Sequence, residues 1–381
     1  MIWSKYRSRL TAAIIACLVT VSACSASTSP SATAGDVARD DAATITVNPV
    51  DFGGQGLILV TFSSAQAGRP VTLQRKFDAG WEDVTTGKED PTGATTFRTK
   101  GGTGAGIYRA VAGEFTRDGQ AQPAVSTPEA SSDKQWKSAL DTEFRGNALE
   151  PDTWDFRASG RYDSGGRQCS APDPSNVAVS DNAVHLTVSL ETSRANIAKA
   201  QAAGCKKKTV LRNAMISTQG LFTAKSGILA ARVKFAQGQG MHGSVWLQSD
   251  NGSEIDMIES YGYGRGLTSV VHVDGQRYPA AEEDIYVNTE AVQDRAWWDR
   301  YHVYTAEWNI DEVVFRIDGV ETSRITQRKA DTGYFVVASM LSSDWEQTRL
   351  TRPVKGAPGV IPTKPPQSMS VAWVRVWTPA P

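Results

Sequence analysis

The stretch Gly252-Ser253-Glu254-Ile255-Asp256-Met257-Ile258-Glu259-Ser260-Tyr261-Gly262 carries the strongest pattern in the chain. It places three carboxylates within six residues of an otherwise apolar segment, with no Lys or Arg among them to offset their repulsion. Side chains alternate between the two faces of a β-strand, so Glu254 and Asp256 share one face and Ile255 points to the other, into a core. The pattern predicts a strand with acidic groups on its open face.

Glu259 has the wrong parity for that face, because it follows Glu254 by five residues. A one-residue β-bulge between Asp256 and Glu259 returns its side chain to the carboxylate face, and bulges recur beside active sites because they re-aim side chains. Two carboxylates facing one cleft are what cleavage of a glycosidic bond requires. The alternative is a solvated edge strand that carries acidic residues without a catalytic role.

Length and charge narrow the classes of function. With 381 residues, of which 40% are hydrophobic, the chain has enough material for one large core and a smaller one, and two domains are expected. Its 40 basic and 41 acidic residues give a net charge of -1, so there is no polybasic field for nucleic acid. Nucleic acid is not expected as a partner, and a monomer is expected.

Residues 1–23 are typical of an export signal. A basic start, ending at Arg9, precedes the apolar run 10–21, which is too short to span a bilayer stably. The sequence Val21-Ser22-Ala23-Cys24 resembles the lipobox of bacterial lipoproteins. That resemblance implies a lipid on Cys24 and anchoring to the outer face of the bacterial cell membrane, with residues 24–41 as a flexible tether. If the lipobox is not used, the chain is secreted.

The remaining cysteines favour one disulfide. Cys17 leaves with the signal and Cys24 takes the lipid, so Cys169 and Cys205 are left for the folded part. A bridge between them persists outside the cytoplasm and is expected to stabilise the fold by roughly 3 to 4 kcal/mol. The alternative is two buried free thiols. No His or Cys lies near them at zinc-ligand spacing, so no metal site is expected.

Residues 42–120 predict a small β-sandwich, because short strand-like runs recur there between Gly, Pro and Asp. The runs are 44–47, 57–62, 71–77, 95–99 and 107–112. Three motifs, at 68–74, 80–81 and 106–109, resemble bacterial immunoglobulin-like modules attached to surface enzymes. The module is then a spacer or, alternatively, a carbohydrate-binding module that uses Trp81.

Residues 121–135 lack periodicity and are interpreted as a linker to a large domain at 136–381. Strand-like runs dominate that domain, and Arg194–Ala203 is the one short helix expected. The runs are 184–190, 227–235, 244–248, 254–259, 268–273, 302–308, 313–317, 334–338 and 369–377. So many strands predict an all-β fold, a concanavalin-like jelly-roll sandwich with a concave face suited to a polymer.

In this setting Glu254 to Glu259 resembles the bulged signature of glycoside hydrolase family 16. The resemblance covers about 138–378, with its elements in the family's order. The other similar segments are 144–149, 212–218, 226–234, 301–308, 317–319 and 371–377. It implies a retaining enzyme in which Glu254 is the nucleophile, Asp256 a helper hydrogen-bonded to it, and Glu259 the general acid/base. Since like charges in one site disfavour joint ionisation, Glu259 is expected to be the protonated member.

The resemblance also suggests substrate-binding residues. Trp246, on the strand before the acids, resembles the family's cleft tryptophan, although a core role is the alternative. His272 lies on the strand after them, where hairpin pairing is expected to bring it close to Glu259. Trp345 matches a region where the family lines its subsites with an aromatic residue. His302 and Trp308 are interpreted as structural. Trp297 and Trp298 are either exposed platforms for stacking or anchors of their loop, and both interpretations stay open.

The expected reaction is endo-hydrolysis of a β-1,3- or mixed β-1,3/1,4-glucan through a glycosyl-enzyme intermediate. Family members acting on β-1,3-glucan often have Gly just before the first Glu, where this chain has Ser253. Alternatives are hydrolysis of another glycan such as a galactan, transglycosylation, and a non-catalytic lipoprotein that binds cell-wall glycan. No cofactor is expected to be required. Calcium stabilises many relatives, but spacing locates no ligand set for it here.

Overall fold

The computed structural model describes residues 37–157, 162, 167–238, 241–262, 267–273, 276–281, 297–326, 331–342 and 365–381. Residues 37–381 form one compact unit. The export signal, Cys24 and Trp345 lie outside the described residues. Neither helix within these ranges is long and apolar enough to cross a membrane.

Ten strands build the N-terminal module. They are β1 (Ala38–Arg39), β2 (Thr44–Val47), β3 (Gln55–Thr61), β4 (Pro70–Phe77), β5 (Gly80–Lys88), β6 (Ala94–Lys100), β7 (Tyr108–Ala112), β8 (Phe115–Arg117), β9 (Gln120–Gln122) and β10 (Val125–Ser126). One sheet has the order β1-β10-β7-β4-β5, a second has β2-β3-β6, and β8 pairs with β9. The two larger sheets enclose an apolar core that includes Val47, Ile58, Leu73 and Phe97.

All five strands predicted for the module are present, as β2, β3, β4, β6 and β7. The sequence pattern missed β5, because its side chains are mostly exposed and show no apolar alternation. Two predicted boundaries of the module were wrong, those with the tether and with the linker. Ala38–Arg39, assigned to the tether, pairs with β10. The segment 121–135, assigned to a linker, is folded against the module: β10 pairs with β7, and Ala130 exchanges two backbone hydrogen bonds with Tyr108.

The large domain adds sixteen strands, two helices and a 3-10 turn at Pro174–Asn176 within the described ranges. In chain order these are α1 (Ser132–Gln135), β11 (Trp136–Thr142), β12 (Asp155–Phe156), β13 (Ser170–Pro172), β14 (Val177–Ser180), β15 (Ala183–Leu190), α2 (Arg194–Ala202), β16 (Leu211–Ser217), β17 (Gly227–Lys234), β18 (His242–Ser249), β19 (Glu254–Ser260), β20 (Leu267–Val273), β21 (Gln276–Ala281), β22 (His302–Trp308), β23 (Val313–Ile317), β24 (Val320–Ile325), β25 (Tyr334–Leu341) and β26 (Gln367–Pro379).

These strands form a jelly-roll sandwich, which confirms the predicted all-β fold. We name its two layers the front sheet, with the order β21-β20-β19-β18-β25-β16, and the back sheet, with the order β15-β26-β17-β22-β23-β24. The end of β15 also pairs with β16, and this pairing joins the layers at one edge. Alternate residues of both layers fill the core, among them Leu229 and Val233 from behind and Leu247 and Ile255 from the front.

The predicted helix and disulfide are both present. Helix α2 begins after Ser193, whose side chain accepts a hydrogen bond from the backbone N–H of Asn196. Cys169 and Cys205 form a disulfide 36 residues apart in sequence. Both cysteines are buried with Ala200 of α2 and Val210 in a small apolar cluster. The bridge therefore ties the helix to the start of β13, at the edge of the front sheet.

The module packs on the outer face of the back sheet. On β17 Leu229 points into the sandwich core, whereas Ile228 and Ala230 point outward, as alternation along a strand requires. These outward residues form one buried apolar cluster with Phe52 and Leu57 of the module. The module and the sandwich therefore share a core and are not joined only through the covalent chain.

We expect Phe52→Ala to lower the free energy of unfolding of the whole chain by about 3 to 5 kcal/mol, because it opens a cavity in this shared cluster. Phe52 is 5% exposed. Urea denaturation followed by tryptophan fluorescence measures the change. Phe77→Ala, at a side chain that is 45% exposed, is the control and should have little effect. Equal stabilities of the two variants would contradict a structural role for the contact.

Loss of the disulfide should be similarly costly. For a closed loop of this length, chain entropy predicts a loss of roughly 4 kcal/mol in the paired variant Cys169→Ser/Cys205→Ser. The same drop should follow from adding a reducing agent to the native chain and none from adding it to the variant. An unfolding midpoint that does not respond to reductant would show that the bridge carries no stability.

Candidate functional site

Strand β19 contains the predicted bulge, and the pairings on both of its sides locate it. Against β20, Asp256 pairs with Val270 and Glu259 with Thr268, so three steps on β19 correspond to two on its neighbour. Against β18, the same shift lies between the pairs Val245–Ile258 and Leu247–Ile255. One extra residue therefore lies in β19 between Asp256 and Glu259, as predicted.

The bulge changes which side chains face the cleft. Ile255, Met257 and Ile258 all lie in the sandwich core, so two consecutive residues point inward and the parity of the strand reverses. Glu259 is thereby returned to the face of Glu254 and Asp256. A bulge disrupts the ladder of backbone hydrogen bonds, and here the Ser269 hydroxyl donates to the Met257 carbonyl oxygen at 2.9 Å. A side chain of the neighbouring strand thus provides a hydrogen bond to the Met257 carbonyl group at the bulge.

A tight turn fixes the register of β18 and β19. Gly252 adopts a φ of 87°, a left-handed conformation that side chains other than glycine rarely adopt. The Ser253 backbone N–H donates to the Asn251 side-chain oxygen at 3.0 Å. Ser253 itself is 2% exposed, and its carbonyl oxygen accepts hydrogen bonds from the Ser249 backbone N–H and hydroxyl. The serine that stands in place of the expected glycine is accommodated in this turn.

The three acids line one cavity of about 310 Å³ on the front sheet. Its lining combines carboxylates from β19, polar and aromatic side chains from β18 and β25, and two arginines. The lining residues are Arg157, Arg167, Met215, His242, Ser244, Trp246, Glu254, Asp256, Glu259, Ser339 and Leu341. Sequence reasoning from one strand therefore located the acidic wall of a cavity built from several strands.

Glu259 is buried, and its carboxyl oxygens contact three side chains in the described part of the chain. His242 Nε2 lies 2.7 Å from Glu259 Oε1, and the Tyr261 hydroxyl donates to the same oxygen at 3.4 Å. The Thr268 hydroxyl donates to Oε2 at 3.1 Å. The rings of His242 and Tyr261 stack with centroids 4.5 Å apart. Both carboxyl oxygens are thus oriented, and an imidazole nitrogen lies within hydrogen-bond distance of one of them.

Asp256 is buried beside His272, whose Nε2 lies 3.4 Å from Asp256 Oδ2. The expectation that His272 lies next to Glu259 was wrong. In the antiparallel pairing, Thr268 is opposite Glu259, and His272, further from the turn, is opposite Glu254. His272 therefore lies beside Glu254 and Asp256 and not beside Glu259.

Glu254, Asp256 and His272 also bring their ligand atoms within 4.8 Å of one another, as a metal site would. Calcium takes six to eight oxygen ligands. Two carboxylates and an imidazole do not fit that preference, so we assign no role to calcium in this cavity.

Trp246 lines the cavity, as predicted, but Arg157 covers part of its ring. The Trp246 indole N–H donates to the Ser339 hydroxyl at 3.3 Å. The Arg157 guanidinium carbon lies 5.5 Å from the centroid of the Trp246 ring and 5.4 Å from that of Phe335. Burial lowers the pKa of Arg157, and the nearby charge of Glu254 acts in the opposite direction.

Sequence reasoning missed three residues of the cavity lining that carry ionisable side chains, and only one of them left a usable signal. His242 has the same parity as Trp246 on β18, so alternation alone places both side chains on the cleft face. Arg157 follows the two-residue strand β12, which has no detectable periodicity. Arg167 reaches the cavity from the segment before Cys169, a contact that depends on tertiary packing.

The remaining candidates have structural surroundings. His302 is buried, and its Nδ1 lies 2.6 Å from Asp318 Oδ2, while Trp308 is buried in the core, as interpreted for both. Trp297 is 3% exposed and packs edge-on against Trp298, so it is not an exposed platform. On the module, Arg109 lies 4.4 Å from the ring centroid of Trp81 and Lys76 lies 5.5 Å from it. Cationic side chains thus pack against the Trp81 ring on which a sugar would have to stack.

Residues 173–351 match the family model described as Glycosyl hydrolases family 16. No curated protein sequence matches the chain. The laminarinase catalytic domain of Thermotoga maritima is similar in structure, with 18% identity, a TM-score of 0.50, and coverage of 65% of this chain and 99% of that chain. The catalytic domain of the endo-1,3-β-glucanase (laminarinase) of Thermotoga petrophila is also similar, with 17% identity and a TM-score of 0.50. The match covers 65% of this chain and 100% of that chain.

A third solved structure, SCLam, is a non-specific endo-β-1,3(4)-glucanase from family GH16. It is 19% identical, with a TM-score of 0.50 and coverage of 64% of this chain and 92% of that one. At these identities the structures show a shared fold. The family match is independent of them, and it includes β18, β19 and β20 with all three acids. The chain therefore carries a glycosyl hydrolase family 16 domain and is a glycoside hydrolase.

Proposed function

We propose that this protein is an exported, retaining endo-glycoside hydrolase that cleaves a β-1,3- or mixed β-1,3/1,4-glucan. The observation that carries the proposal is the bulge in β19, which aligns Glu254, Asp256 and Glu259 along one cavity. The names of the similar structures, laminarinases and an endo-β-1,3(4)-glucanase, support the choice of glucan and of internal cleavage. The signal-like residues 1–23 and the lipobox-like Cys24 support export and anchoring.

In the first chemical step, the Glu254 carboxylate attacks the anomeric carbon and forms a glycosyl ester. Glu259 donates its proton to the departing glycosidic oxygen, so the leaving sugar departs as a neutral alcohol. In the second step, Glu259 takes a proton from water, whose oxygen attacks the same carbon and releases Glu254. Two displacements at one carbon retain the β configuration.

The pairing of the strands brings the two glutamates toward the separation that this mechanism needs. Glu254 is opposite Gln248 and Glu259 is opposite Ser244, so the two positions are only four residues apart along β18. That spacing is about 13 Å along the strand, compared with about 16 Å for five regular residues. Each glutamate side chain extends roughly 4 Å, so converging side chains close most of the distance to the 5 to 5.5 Å typical of retaining enzymes.

Loss of either glutamate should abolish release of reducing ends from laminarin or barley β-glucan. We expect rates to fall by at least about 10⁴-fold in Glu254→Ala, because the nucleophile is lost, and by about 10² to 10⁴-fold in Glu259→Ala, because general acid/base catalysis contributes that much. On an aryl β-glycoside of the same oligosaccharide, whose phenolate departs without protonation, added azide should restore turnover in both variants. The product should be an α-glycosyl azide with Glu254→Ala, after a single displacement, and a β-glycosyl azide with Glu259→Ala, after two.

Glu82→Ala, at an exposed position on β5, is the matched control and should keep native activity. Native turnover in Glu254→Ala or Glu259→Ala would refute the roles proposed for these residues. The same anomer from both variants would refute the division of labour between them.

His242 should matter for turnover more than for binding. His242→Phe retains an aromatic ring to stack on Tyr261 but removes the contact with Glu259 Oε1. We expect kcat to fall by about 10- to 100-fold with little change in KM, because Glu259 loses an orienting partner during proton transfer. The pH profile of kcat should also change shape. His185→Gln, on the back sheet, is the control. An unaltered kcat and pH profile would show that the contact has no part in proton transfer.

A further inference from the structure

A second cavity, which we call the edge pocket, lies outside the catalytic cavity. Its volume is about 650 Å³, compared with about 310 Å³ for the catalytic cavity, and the two share no lining residue. The lining of the edge pocket comes from the segments 147–151, 154–156, 177–179 and 219–221. Binding sites for small molecules typically have volumes of about 300 to 1,000 Å³. The edge pocket is therefore large enough to be a binding site in its own right.

The edge pocket lies where the two layers of the sandwich separate. Strand β12 pairs with β16 of the front sheet, and β14 pairs with β15 of the back sheet. Phe156 on β12 is opposite the core residue Ile216, so its side chain points to the inner side of the front sheet. Val179 on β14 is opposite the core residue Val184 and points inward from the back sheet. The edge pocket is therefore the open mouth of the sandwich between two edge strands.

The lining combines exposed apolar groups with exposed polar groups. Phe156 is 43% exposed and Leu221 is 46% exposed, which is uncommon for large apolar side chains in the described part of the chain. Asn147, Asp155 and Gln219 line the same pocket and are also exposed. Such a lining has both apolar contact surface and hydrogen-bonding groups, the combination that orients a ligand in a specific site.

A β-linked glucose chain has the matching chemistry. Each pyranose ring carries C–H groups on its two faces and hydroxyl groups around its rim. The C–H faces suit an aromatic ring and a leucine, while amide and carboxylate side chains can exchange hydrogen bonds with the hydroxyls. A lipid acyl chain would instead leave the polar groups of the pocket without partners, which is unfavourable.

Part of the pocket is held in shape without a ligand. The backbone N–H groups of Leu221 and Phe222 both donate to the Thr218 carbonyl oxygen, at 3.0 and 2.9 Å. The Gln219 side-chain amide donates to Asp250 Oδ1 at 3.1 Å. These bonds fix the turn that presents Gln219 and Leu221 to the pocket. A ligand therefore has to order less of the protein when it binds, which favours affinity.

The edge pocket and the catalytic cavity are neighbours across β12. Phe156 lines the edge pocket, and Arg157, the next residue, lines the catalytic cavity. Their Cα atoms are about 3.8 Å apart, and successive side chains of an extended chain point to opposite faces. Strand β12 lies at the edge of the front sheet, where it pairs only with β16 among the described strands. A polymer that leaves the catalytic cavity over this edge reaches the edge pocket.

We propose that the edge pocket is a second glycan-binding site, which holds one segment of a β-glucan chain while another segment of the chain lies in the catalytic cavity. Phe156 and Leu221 contact the faces of the sugar rings, and Asn147, Asp155 and Gln219 bind their hydroxyls. This inference rests on the proposed function, because it takes the polymer proposed as substrate to be the ligand. Binding at two places on one chain raises the effective concentration of the polymer at the catalytic cavity.

Substrates of two lengths provide the test. On long soluble laminarin or barley β-glucan, we expect Phe156→Ala to raise KM by about 5- to 30-fold, because the face of one aromatic ring is no longer buried by the sugar. The kcat should not change, since the pocket binds ground state and transition state alike. On laminaritetraose, which is too short to occupy both sites, KM should change by less than about 2-fold. In a Glu254→Ala background, affinity electrophoresis measures the same loss of polymer binding without turnover.

Three further variants control for other effects of the substitution. Leu221→Ala lies on a different segment from Arg157 and should also weaken polymer kinetics selectively. Phe156→Tyr keeps the aromatic ring and should behave as the native protein. Phe77→Ala removes a ring of similar exposure, 45%, from the N-terminal module and should have no effect on KM. Circular dichroism and the unfolding midpoint confirm that each variant is folded.

Several results would overturn the inference and leave the hydrolase in place. They are equal changes on polymer and oligosaccharide, no change in either pocket variant, and an effect of Phe156→Ala that Leu221→Ala does not share, which would be traced to displacement of Arg157. Sedimentation velocity tests a different occupant: a native dimer that dissociates in Phe156→Ala would assign the edge pocket to a second copy of the chain and also overturn the inference.

Failure of the proposed function is read separately. If the native protein cleaves neither glucan, affinity electrophoresis with the same polymers decides. Retardation that both Phe156→Ala and Leu221→Ala weaken supports the second binding site and removes the glucanase. Retardation that neither substitution weakens, or no retardation of the native protein, overturns the inference together with the proposed function.

Discussion

The position of the candidate active site depends on one local constraint, the extra residue in β19. Without it, alternation along the strand would place Glu259 among core side chains, where an unpaired carboxyl is costly. The constraint is enforced from both sides, because β18 and β20 each pair with β19 before and after the bulge. Met257 and Ile258 both point into the core and hold the bulge by packing. The hydrophobic core of the sandwich therefore fixes the direction of the Glu259 side chain, the proposed acid/base.

The residues around the three acids also influence their chemistry. Each acid has a different environment: Glu259 contacts His242, Tyr261 and Thr268, Asp256 is buried beside His272, and Glu254 is more exposed. Three carboxyl groups on one strand thus differ in burial and in surroundings, which allows them to take different protonation states and roles. The same cavity is also lined by Arg157, Arg167 and Trp246.

Much of this could be predicted from the sequence because it depends on local pattern. Alternation located β19 and required the bulge, and cysteine use gave the pair Cys169–Cys205. Contacts between distant segments could not be predicted. The hairpin register places Thr268, not His272, opposite Glu259, since the pairing is counted outward from the turn. Arg157 and Arg167 enter the cavity only through tertiary packing, and the supposed linker at 121–135 is folded through pairing with β7 and contacts to Tyr108.

The central claim is that Glu254 and Glu259 act as nucleophile and acid/base on the same face of one bulged strand. The most direct measurement is proton NMR of the first reducing ends that the wild-type enzyme releases from a β-linked glycan it cleaves, recorded before mutarotation. The account predicts that the β anomer appears first and the α anomer grows in later. Initial release of the α anomer would mean a single displacement by water and would contradict the account.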